Sequence, residues 1–227
     1  MVLGETLGLA RNQRYHGTVR VSPSAVIFDY GNVLSQSQPI TDTQAMASIL
    51  EVPLPQVAEL YWRFRIEYDA ATLDPAAYWN SIAQVASRSL TADQISELTD
   101  IDSRSWSHAA PVVPQWARDI RAAGLRTALL SNMPVPVRDY VIECRWLPEF
   151  DTQTFSCDVG LCKPAAQIYR DCLNKLDAEP SEVLFLDDRE PNIRAAEALG
   201  LNAVLFADPA AAIREIEDRF SLPAIRK

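Results

Sequence analysis

Seven polar side chains that could take part in chemistry follow short apolar runs of the sequence. They are Asp29 in VIFDYGNVL, Ser131 and Asn132 in ALLSN, Lys163 in GLCKP, and Asp187, Asp188 and Asn192 in VLFLDDREPN. A carboxylate nucleophile, a hydroxyl, an ammonium group and an acidic pair are suited to phosphoryl transfer if they share one cleft. The fold must then be one that brings these distant segments together.

The acidic residues suit a magnesium ion. Mg²⁺ prefers oxygen ligands in octahedral geometry and is usually held by one or two carboxylates together with water and phosphate. Asp29 and Asp188 can supply those carboxylates, and the other oxygen of Asp29 could attack phosphorus to give an aspartyl phosphate that water later hydrolyses. Lys163 and the metal would offset the charge of the phosphoryl oxygens, while Ser131 and nearby backbone N–H groups bind them.

Short apolar runs separated by helical stretches predict an α/β fold with a parallel sheet. The predicted strands are Val26 to Phe28, Thr127 to Leu130, Val183 to Leu186, Ala203 to Phe206 and the weaker Asp151 to Phe155. Pro114 and Pro191 suit the first turns of two helices, which Gly124 and Gly200 would end. Because ligands of an open parallel sheet bind at the carboxyl ends of its strands, the polar residues there are expected to share a cleft.

The stretch from about residue 39 to residue 109 has a different pattern. PQVAELYWRFRIEYDAA, DPAAYWNSIAQVASR and TADQISEL show helical periodicity without a convincing strand, and Thr91 suits an N-cap. An all-helical block placed directly after the first strand predicts an insertion that forms a lid. The predicted organisation is an N-terminal extension at residues 1–20, an α/β core at 21–38 and 110–227, and a helical cap at 39–109.

Composition argues against several classes of function. The 227-residue chain has a net charge of -9 and no dense run of Lys or Arg, which disfavours nucleic acid and anionic membranes as partners. Its first residues lack the basic start and apolar stretch of a signal peptide or anchor, so the cytoplasm is the expected location and its cysteines are expected to be reduced. The cysteine spacing does not suit zinc, and two histidines without a GxSxG turn do not suit a serine hydrolase.

Taken together, the four motifs resemble those of the haloacid dehalogenase (HAD) superfamily of hydrolases. They stand in the family's order as FDYGNVL, LLSN, GLCKPAAQIY and FLDDREPN, and the resemblance spans Val26 to Phe206. It implies a Rossmann-like parallel sheet in the order 5-4-1-2-3 with a helical cap inserted after the first strand, as in subfamily IA. The D-x-G-N-V turn is similar to that of a bacterial subgroup that includes a sugar-1-phosphate phosphatase.

The resemblance also implies a role for each site residue, and Mg²⁺ as the cofactor. Asp29 would be the nucleophile and a metal ligand, Ser131 the phosphate-binding hydroxyl with Asn132 beside it, Lys163 the phosphoryl clamp, Asp188 a further metal ligand, Asp187 a supporting acid, and Asn192 the group that holds a metal-bound water.

The first motif departs from the family pattern at Gly31. Family phosphatases usually carry a second Asp at this position, where it protonates the leaving group and then activates water. The backbone carbonyl of Gly31 can still bind magnesium, but the acid–base role is lost, and such catalysis is typically worth about 10²- to 10⁴-fold. Slow turnover of poor leaving groups is therefore predicted unless a cap residue or water substitutes. A sugar acetal, as a better leaving group, would need less help.

The aromatic and basic stretch YWRFRIEY has two interpretations. Tyr61, Arg65 and Tyr68 share one face of a helix, and such stripes usually pack against a core or a partner helix. If the face lines the cleft instead, Arg65 is the expected contact to a phosphate or to a sugar hydroxyl.

Purely structural interpretations also exist for the motif residues. Asp29 could cap a turn, and Lys163 could be a solvated surface residue. Asp187 and Asp188 could form a solvated first turn of a helix, and Ser131 could cap the next helix.

The leading hypothesis is a magnesium-dependent phosphatase that acts on a small phosphorylated metabolite, with a sugar phosphate as a candidate, through an aspartyl phosphate. The chain would be a monomer or a homodimer. The second enzyme hypothesis is a 2-haloacid dehalogenase, against which the acidic pair argues, because negative charge without a cation would repel a haloacid carboxylate. The third is a non-catalytic binding protein that kept the fold.

Overall fold

The sheet has the predicted parallel order. The computed structural model describes residues 20–226. Its strands are β1 (Ala25–Phe28), β2 (Arg126–Ser131), β3 (Thr152–Phe155), β4 (Val183–Asp187) and β5 (Asn202–Leu205). They lie in the order β3-β2-β1-β4-β5, which confirms the predicted order 5-4-1-2-3 when it is counted from the other edge. Each predicted strand is confirmed, with its ends within one residue of the prediction.

The central strand β1 aligns the ends of its neighbours. Successive residues of β1 alternate between two core clusters, so that Ile27 packs on one face of the sheet and Phe28 on the other. A parallel strand covered on both faces is expected to be continuously apolar. Phe28 is level with Leu129 of β2 and with Leu186 of β4. The residues that follow these three strands therefore emerge together at one edge.

Five helices occupy the segment between residues 40 and 105, all of which the structure describes. They are α1 (Ile40–Leu50), α2 (Leu54–Arg63), α3 (Arg65–Asp69), α4 (Pro75–Val85) and α5 (Ala92–Ser105). Thr91 caps α5 as predicted, in a capping box with Gln94. One continuous helix over PQVAELYWRFRIEYDAA is not found, because Phe64 leaves the helical conformation (φ -118°, ψ 15°) and separates α2 from α3.

The helical segment has its own apolar cluster, which includes Trp79, and it joins the sheet through two adjacent connections. Gln36 N donates to His108 O at 2.7 Å, and Ala110 N donates to Leu34 O at 2.8 Å. These bonds lie next to residues 39 and 109, the predicted boundaries of the cap. We propose the division into cap and core on this basis.

Helices of the remaining chain cover both faces of the sheet. They are α6 (Val113–Ala122), α7 (Val135–Val141), α8 (Ser156–Val159), α9 (Ala166–Leu176), α10 (Glu190–Ala198) and α11 (Pro209–Arg219). Gly124 and Gly200 follow α6 and α10 with φ of 84° and 90°, which favours glycine and ends the helices as predicted.

All four cysteines are free thiols. The predicted N-terminal extension, residues 1–20, lies outside the described residues except for Arg20. Across residues 20–226, none of the helices is both long enough and apolar enough to span a membrane.

Candidate active site

A cleft of about 450 Å³ opens at the carboxyl ends of the strands. Every residue predicted for the site lines this cleft except Asp187, which is fully buried at the end of β4. The other wall is formed by the helical segment, which contributes Arg65 and Asp69. The strand order thus brings the distant motifs together, as expected for an open parallel sheet.

Lys163 stands at the centre of the charged groups. Its Nζ lies 2.8 Å from Asp29 Oδ1 and 2.7 Å from Asp187 Oδ2. It also donates a hydrogen bond of 2.9 Å to the backbone oxygen of Leu130. The side chain is only 1% exposed, which rules out a solvated surface lysine.

Burial and charge act in opposite directions on this pair. Burial raises the pKa of Asp29, and the Lys163 ammonium only partly offsets that rise. Burial lowers the pKa of Lys163, but Asp187 and Asp29 together leave it above its ordinary value. Lys163 therefore stays charged, and the raised pKa of Asp29 indicates that the carboxylate would gain from a further positive charge.

Asp187 is fixed by hydrogen bonds to both of its oxygens. Asn192 Nδ2 donates to Oδ1 and Oδ2 at 2.9 Å, and Arg189 N donates to Oδ1 at 2.8 Å. Together with the contact from Lys163, these bonds are consistent with a supporting acid that orients the lysine. The Asn192 amide is therefore hydrogen-bonded to Asp187. The predicted contact of Asn192 with a metal-bound water remains a prediction.

The acidic residues fit a magnesium ion. Asp29, Asp187 and Asp188 place carboxylate oxygens within 4.8 Å of one another. Asp188 Oδ2 accepts a bond of 2.8 Å from Asn32 Nδ2, whereas Asp188 Oδ1 and Asp29 Oδ2 have no hydrogen bond to any described residue. Three carboxylates face one ammonium group, and hard oxygen donors are those that Mg²⁺ prefers. Asp29 and Asp188 could hold the ion, and the Gly31 carbonyl remains the third predicted ligand.

The two polar residues after β2 have different surroundings. Within residues 20–226, Ser131 Oγ makes no hydrogen bond, so it is available to a phosphate oxygen. Asn132 exchanges two bonds with the backbone of Lys163, accepting from its N at 2.8 Å and donating to its O at 2.9 Å. Asn132 therefore positions Lys163, and its contact with substrate stays a prediction.

Trp106 is a residue of the cleft that the sequence did not reveal. A Cβ at Gly31 would lie 3.3 Å from Trp106 Cζ3, so the indole occupies the space next to the glycine. Tyr30 OH donates to Trp106 O at 2.7 Å, and Trp106 Nε1 donates to Tyr61 OH at 3.1 Å. The contact joins residues far apart in the chain, and no local pattern marks it.

The helical segment contributes a buried ion-pair network to the cleft wall. Arg65 Nε lies 2.6 Å from Asp69 Oδ1 and its Nη1 lies 3.0 Å from Asp102 Oδ2, with Tyr61 OH also in contact with Nη1. Burial would lower the pKa of Arg65, but Asp102 and Asp69 keep it well above its ordinary value. Tyr61, Arg65 and Tyr68 are buried, as the packing interpretation predicted. Arg65 also lines the cleft, and its contact with substrate remains a prediction.

The structure tests the purely structural interpretations as well. Asp29 does cap its turn, because Oδ1 accepts a bond of 2.7 Å from Tyr30 N, in addition to its place in the cleft. Asp187 is fully buried, which contradicts a solvated helix turn. Helix α7 has Pro134 at its N-cap, so Ser131 does not cap it.

The molecule is an α/β protein with a parallel sheet, acids at the ends of its central strands and helices inserted after the first strand. A family model described as haloacid dehalogenase-like hydrolase matches residues 23–200. The chain therefore belongs to the haloacid dehalogenase-like hydrolases, which confirms the resemblance of its motifs.

Curated relatives include phosphatases. A sesquiterpene phosphatase from Aspergillus oryzae is 26% identical, over 85% of this chain and 94% of that protein. The fructose-1-phosphate phosphatase of Escherichia coli is also 26% identical, over 72% of this chain and 77% of its own length. Mouse acyl-CoA dehydrogenase family member 10 is 35% identical over 50% of this chain, but the chain spans only 11% of that protein.

Solved structures share the fold. A HAD-like family hydrolase from Porphyromonas gingivalis has a TM-score of 0.63 at 20% identity, over 82% of this chain and 91% of its own. A Bacteroides thetaiotaomicron HAD enzyme in complex with magnesium and inorganic phosphate has a TM-score of 0.58 at 17% identity, over 82% and 93%. The L-2-haloacid dehalogenase of Xanthobacter autotrophicus, with chloropropionic acid covalently bound, has a TM-score of 0.62 at 17% identity, over 81% and 77%.

Proposed function

We propose that this chain is a magnesium-dependent phosphatase that hydrolyses a small phosphorylated metabolite through an aspartyl phosphate on Asp29. The main support is the position of Lys163 Nζ, 2.8 Å from Asp29 and 2.7 Å from Asp187, in a cleft that Asp188 also lines. A nucleophilic carboxylate, an ammonium clamp and acids that could hold a cation are the groups that phosphoryl transfer needs.

Each residue has a definite task in this reaction. An oxygen of Asp29 attacks phosphorus and forms the aspartyl phosphate as the leaving oxygen departs. Lys163 and Ser131 bind the phosphoryl oxygens, and Asp187 and Asn132 hold Lys163 in place for this contact. Water then hydrolyses the aspartyl phosphate and restores Asp29. Magnesium, when bound by Asp29 and Asp188, supplies positive charge that offsets the charge of the phosphoryl group.

The substrate we propose is small, because the cleft of about 450 Å³ lies within the range of ordinary small-molecule sites. The Aspergillus oryzae relative is a sesquiterpene phosphatase and the Escherichia coli relative is a fructose-1-phosphate phosphatase, which supports a phosphorylated metabolite as the substrate. A sugar phosphate remains the candidate within this class. The proposed enzyme acts without nucleic acid or membrane as a partner. Its proposed assembly is a monomer or a homodimer.

A 2-haloacid dehalogenase is the second candidate, since the fold is shared with an enzyme that binds chloropropionic acid covalently. The arrangement of charge favours the phosphatase. Asp29, Asp187 and Asp188 together exceed the charge of Lys163, so a haloacid carboxylate would be repelled unless a cation is present. A non-catalytic binding protein is the third alternative.

Hydrolysis of p-nitrophenyl phosphate tests the proposal, measured with magnesium, with EDTA and with the Asp29→Asn variant. Activity that requires magnesium and disappears in the variant is the expected result. Release of halide from 2-chloropropionate that persists in EDTA would instead select the dehalogenase. The absence of both reactions would favour the binding protein.

The matched control is Asp218→Asn, which makes the same chemical change at an exposed position of α11, distant in the chain from every motif. Its activity should equal that of the wild type. The comparison separates the loss of a nucleophile from the loss of one negative charge.

A further inference from the structure

Gly31 leaves the cleft without the carboxyl group that family phosphatases usually have beside the nucleophile. The Trp106 ring lies 3.3 Å from the position that a Cβ would take there, so even a small side chain would be crowded. An alkoxide or phenoxide that leaves phosphorus still requires a proton. Another group must supply it if poor leaving groups are to react at a useful rate.

The acids of the cleft leave one candidate. Among residues 20–226, the carboxyl groups that line the cleft belong to Asp29, Asp69 and Asp188, and no histidine lines it. Asp29 is the nucleophile of the proposed function, and Asp188 belongs to the cluster that fits the metal. Asp69 has neither task. It lies at the end of α3, in the helical segment that forms the other wall of the cleft.

Asp69 is held rigidly, yet one of its oxygens remains available. Oδ1 accepts a bond of 2.6 Å from Arg65 Nε, which is itself paired with Asp102. The backbone oxygen of Asp69 accepts a bond of 2.6 Å from Ser156 Oγ, which ties the residue to the end of β3. Within the described part of the chain, Oδ2 makes no hydrogen bond, and it is not among the fully enclosed unpaired oxygens.

We propose that Asp69 is the general acid and base of the reaction, in place of the missing carboxyl group at position 31. This inference rests on the proposed phosphatase function. The Asp69 carboxylic acid donates its proton to the leaving oxygen as Asp29 displaces it from phosphorus, which gives an alcohol and the Asp69 carboxylate. Water then attacks the aspartyl phosphate and gives a proton to Asp69, which yields phosphate and restores both carboxyl groups.

The surroundings of Asp69 suit a group that must both give and take a proton. Burial raises its pKa to about 6, even though Arg65 on α3 lowers it. Asp102 on α5 adds to the rise, and Arg189 beyond β4 opposes it. An acid–base group works best when its pKa is near the working pH, and both forms of Asp69 are then populated close to neutrality.

Two esters of similar shape and different leaving-group acidity test the role of Asp69. Phenol is a poor leaving group that needs a proton, whereas p-nitrophenolate leaves readily without one. In the Asp69→Asn variant with magnesium, we expect the rate on phenyl phosphate to fall by about 10²-fold or more, and the rate on p-nitrophenyl phosphate to fall by less than about tenfold. Because both rates come from one preparation, their ratio does not depend on the folded fraction.

Asp218→Asn is the matched control, because it makes the same chemical change at an exposed position that does not line the cleft. It should leave the ratio of the two rates unchanged, whatever it does to stability. An equal fractional loss on both esters in Asp69→Asn, or the same change of ratio in Asp218→Asn, would overturn the role of Asp69 alone. Wild-type protein that hydrolyses neither ester would overturn the proposed function, and this inference with it.

Discussion

Glycine is favoured at position 31 because a side chain there would have little room, and not because of its backbone conformation. Its φ of -64° and ψ of 130° are accessible to every amino acid. What restricts the position is the indole of Trp106, whose Nε1 donates a hydrogen bond to Tyr61 OH. A side chain here would have to displace a ring that is hydrogen-bonded to Tyr61.

A double-mutant cycle at Gly31 and Trp106 should show this coupling. Gly31→Ala should lower the free energy of unfolding by about 1 kcal/mol or more, because added atoms in a packed site force their neighbours to move. In a Trp106→Phe background the smaller ring should relieve much of that cost, measured by urea unfolding. Additive effects of the two substitutions would show that the indole is not what restricts the position.

Asp69 should make stability depend on pH. The folded chain raises its pKa to about 6 from an ordinary value of 3.8. Between these values the folded state binds more protons than the unfolded state, so the contribution of Asp69 to stability falls as pH rises from about 4 to 6. The charged groups that set this shift are Arg65, Asp102 and Arg189, with burial as the largest cause.

The free energy of unfolding should depend on pH differently in the wild type and in Asp69→Asn. Relative to the variant, the wild type should lose on the order of 2 kcal/mol of unfolding free energy between pH 4 and pH 7. Urea unfolding of both proteins at the two pH values measures it. A constant difference across this interval would mean that Asp69 titrates as an ordinary exposed carboxyl group.

At the scale of elements, the sequence predicted what depends on local pattern. The strand ends and the residues that follow them were predictable, because a continuously apolar run with turn residues after it marks a buried parallel strand. Asp29, Ser131 and Asp188 were therefore placed correctly at one edge. The Thr91 cap of α5 was equally local.

The contacts of the helical segment with the core were not predictable in this way. The break between α2 and α3 at Phe64 has no proline or glycine to mark it. Instead, α3 is held by the core, since Cys162 Sγ donates to Ile66 O at 3.5 Å and Ser156 Oγ donates to Asp69 O at 2.6 Å. Such contacts depend on how two packed units meet, which periodicity does not encode.

Ser156 should therefore couple α3 to the sheet. Its buried Oγ donates to Asp69 O and accepts a bond of 3.0 Å from Met133 N. Ser156→Ala should lower the free energy of unfolding by about 1–3 kcal/mol, because two backbone groups lose a partner. It should also speed hydrogen exchange in α3, measured by mass spectrometry.

Thr91→Ala is a matched control for that experiment. It should lower the free energy of unfolding by about 1 kcal/mol through loss of the α5 cap. It should not selectively speed hydrogen exchange in α3. Equal exchange in α3 for the two variants would mean that Ser156 stabilises the molecule without fixing the helix that carries Asp69.

Charge is the property of the whole molecule that bears most on the site. The chain has a net charge of -9, and three of its acids meet around a single lysine. Burial raises the pKa of Asp188 as well as that of Asp29, which means that burial disfavours their ionised forms. A bound cation would stabilise both carboxylates. Binding at this point should therefore stabilise the entire fold.

Thermal unfolding measures that stabilisation independently of activity. Magnesium binds the folded cluster and not the separated acids of the unfolded chain, so it should add about 2.7 kcal/mol at a free concentration near 100 times its Kd. NaCl at equal ionic strength accounts for screening of the net charge. The magnesium-specific rise in Tm should disappear in Asp188→Asn and persist in Asp218→Asn, because only the first substitution removes a carboxylate of the cluster. A rise of equal size in both variants would place the bound ion elsewhere on this acidic chain and remove the support that the cluster gives to a metal-dependent reaction.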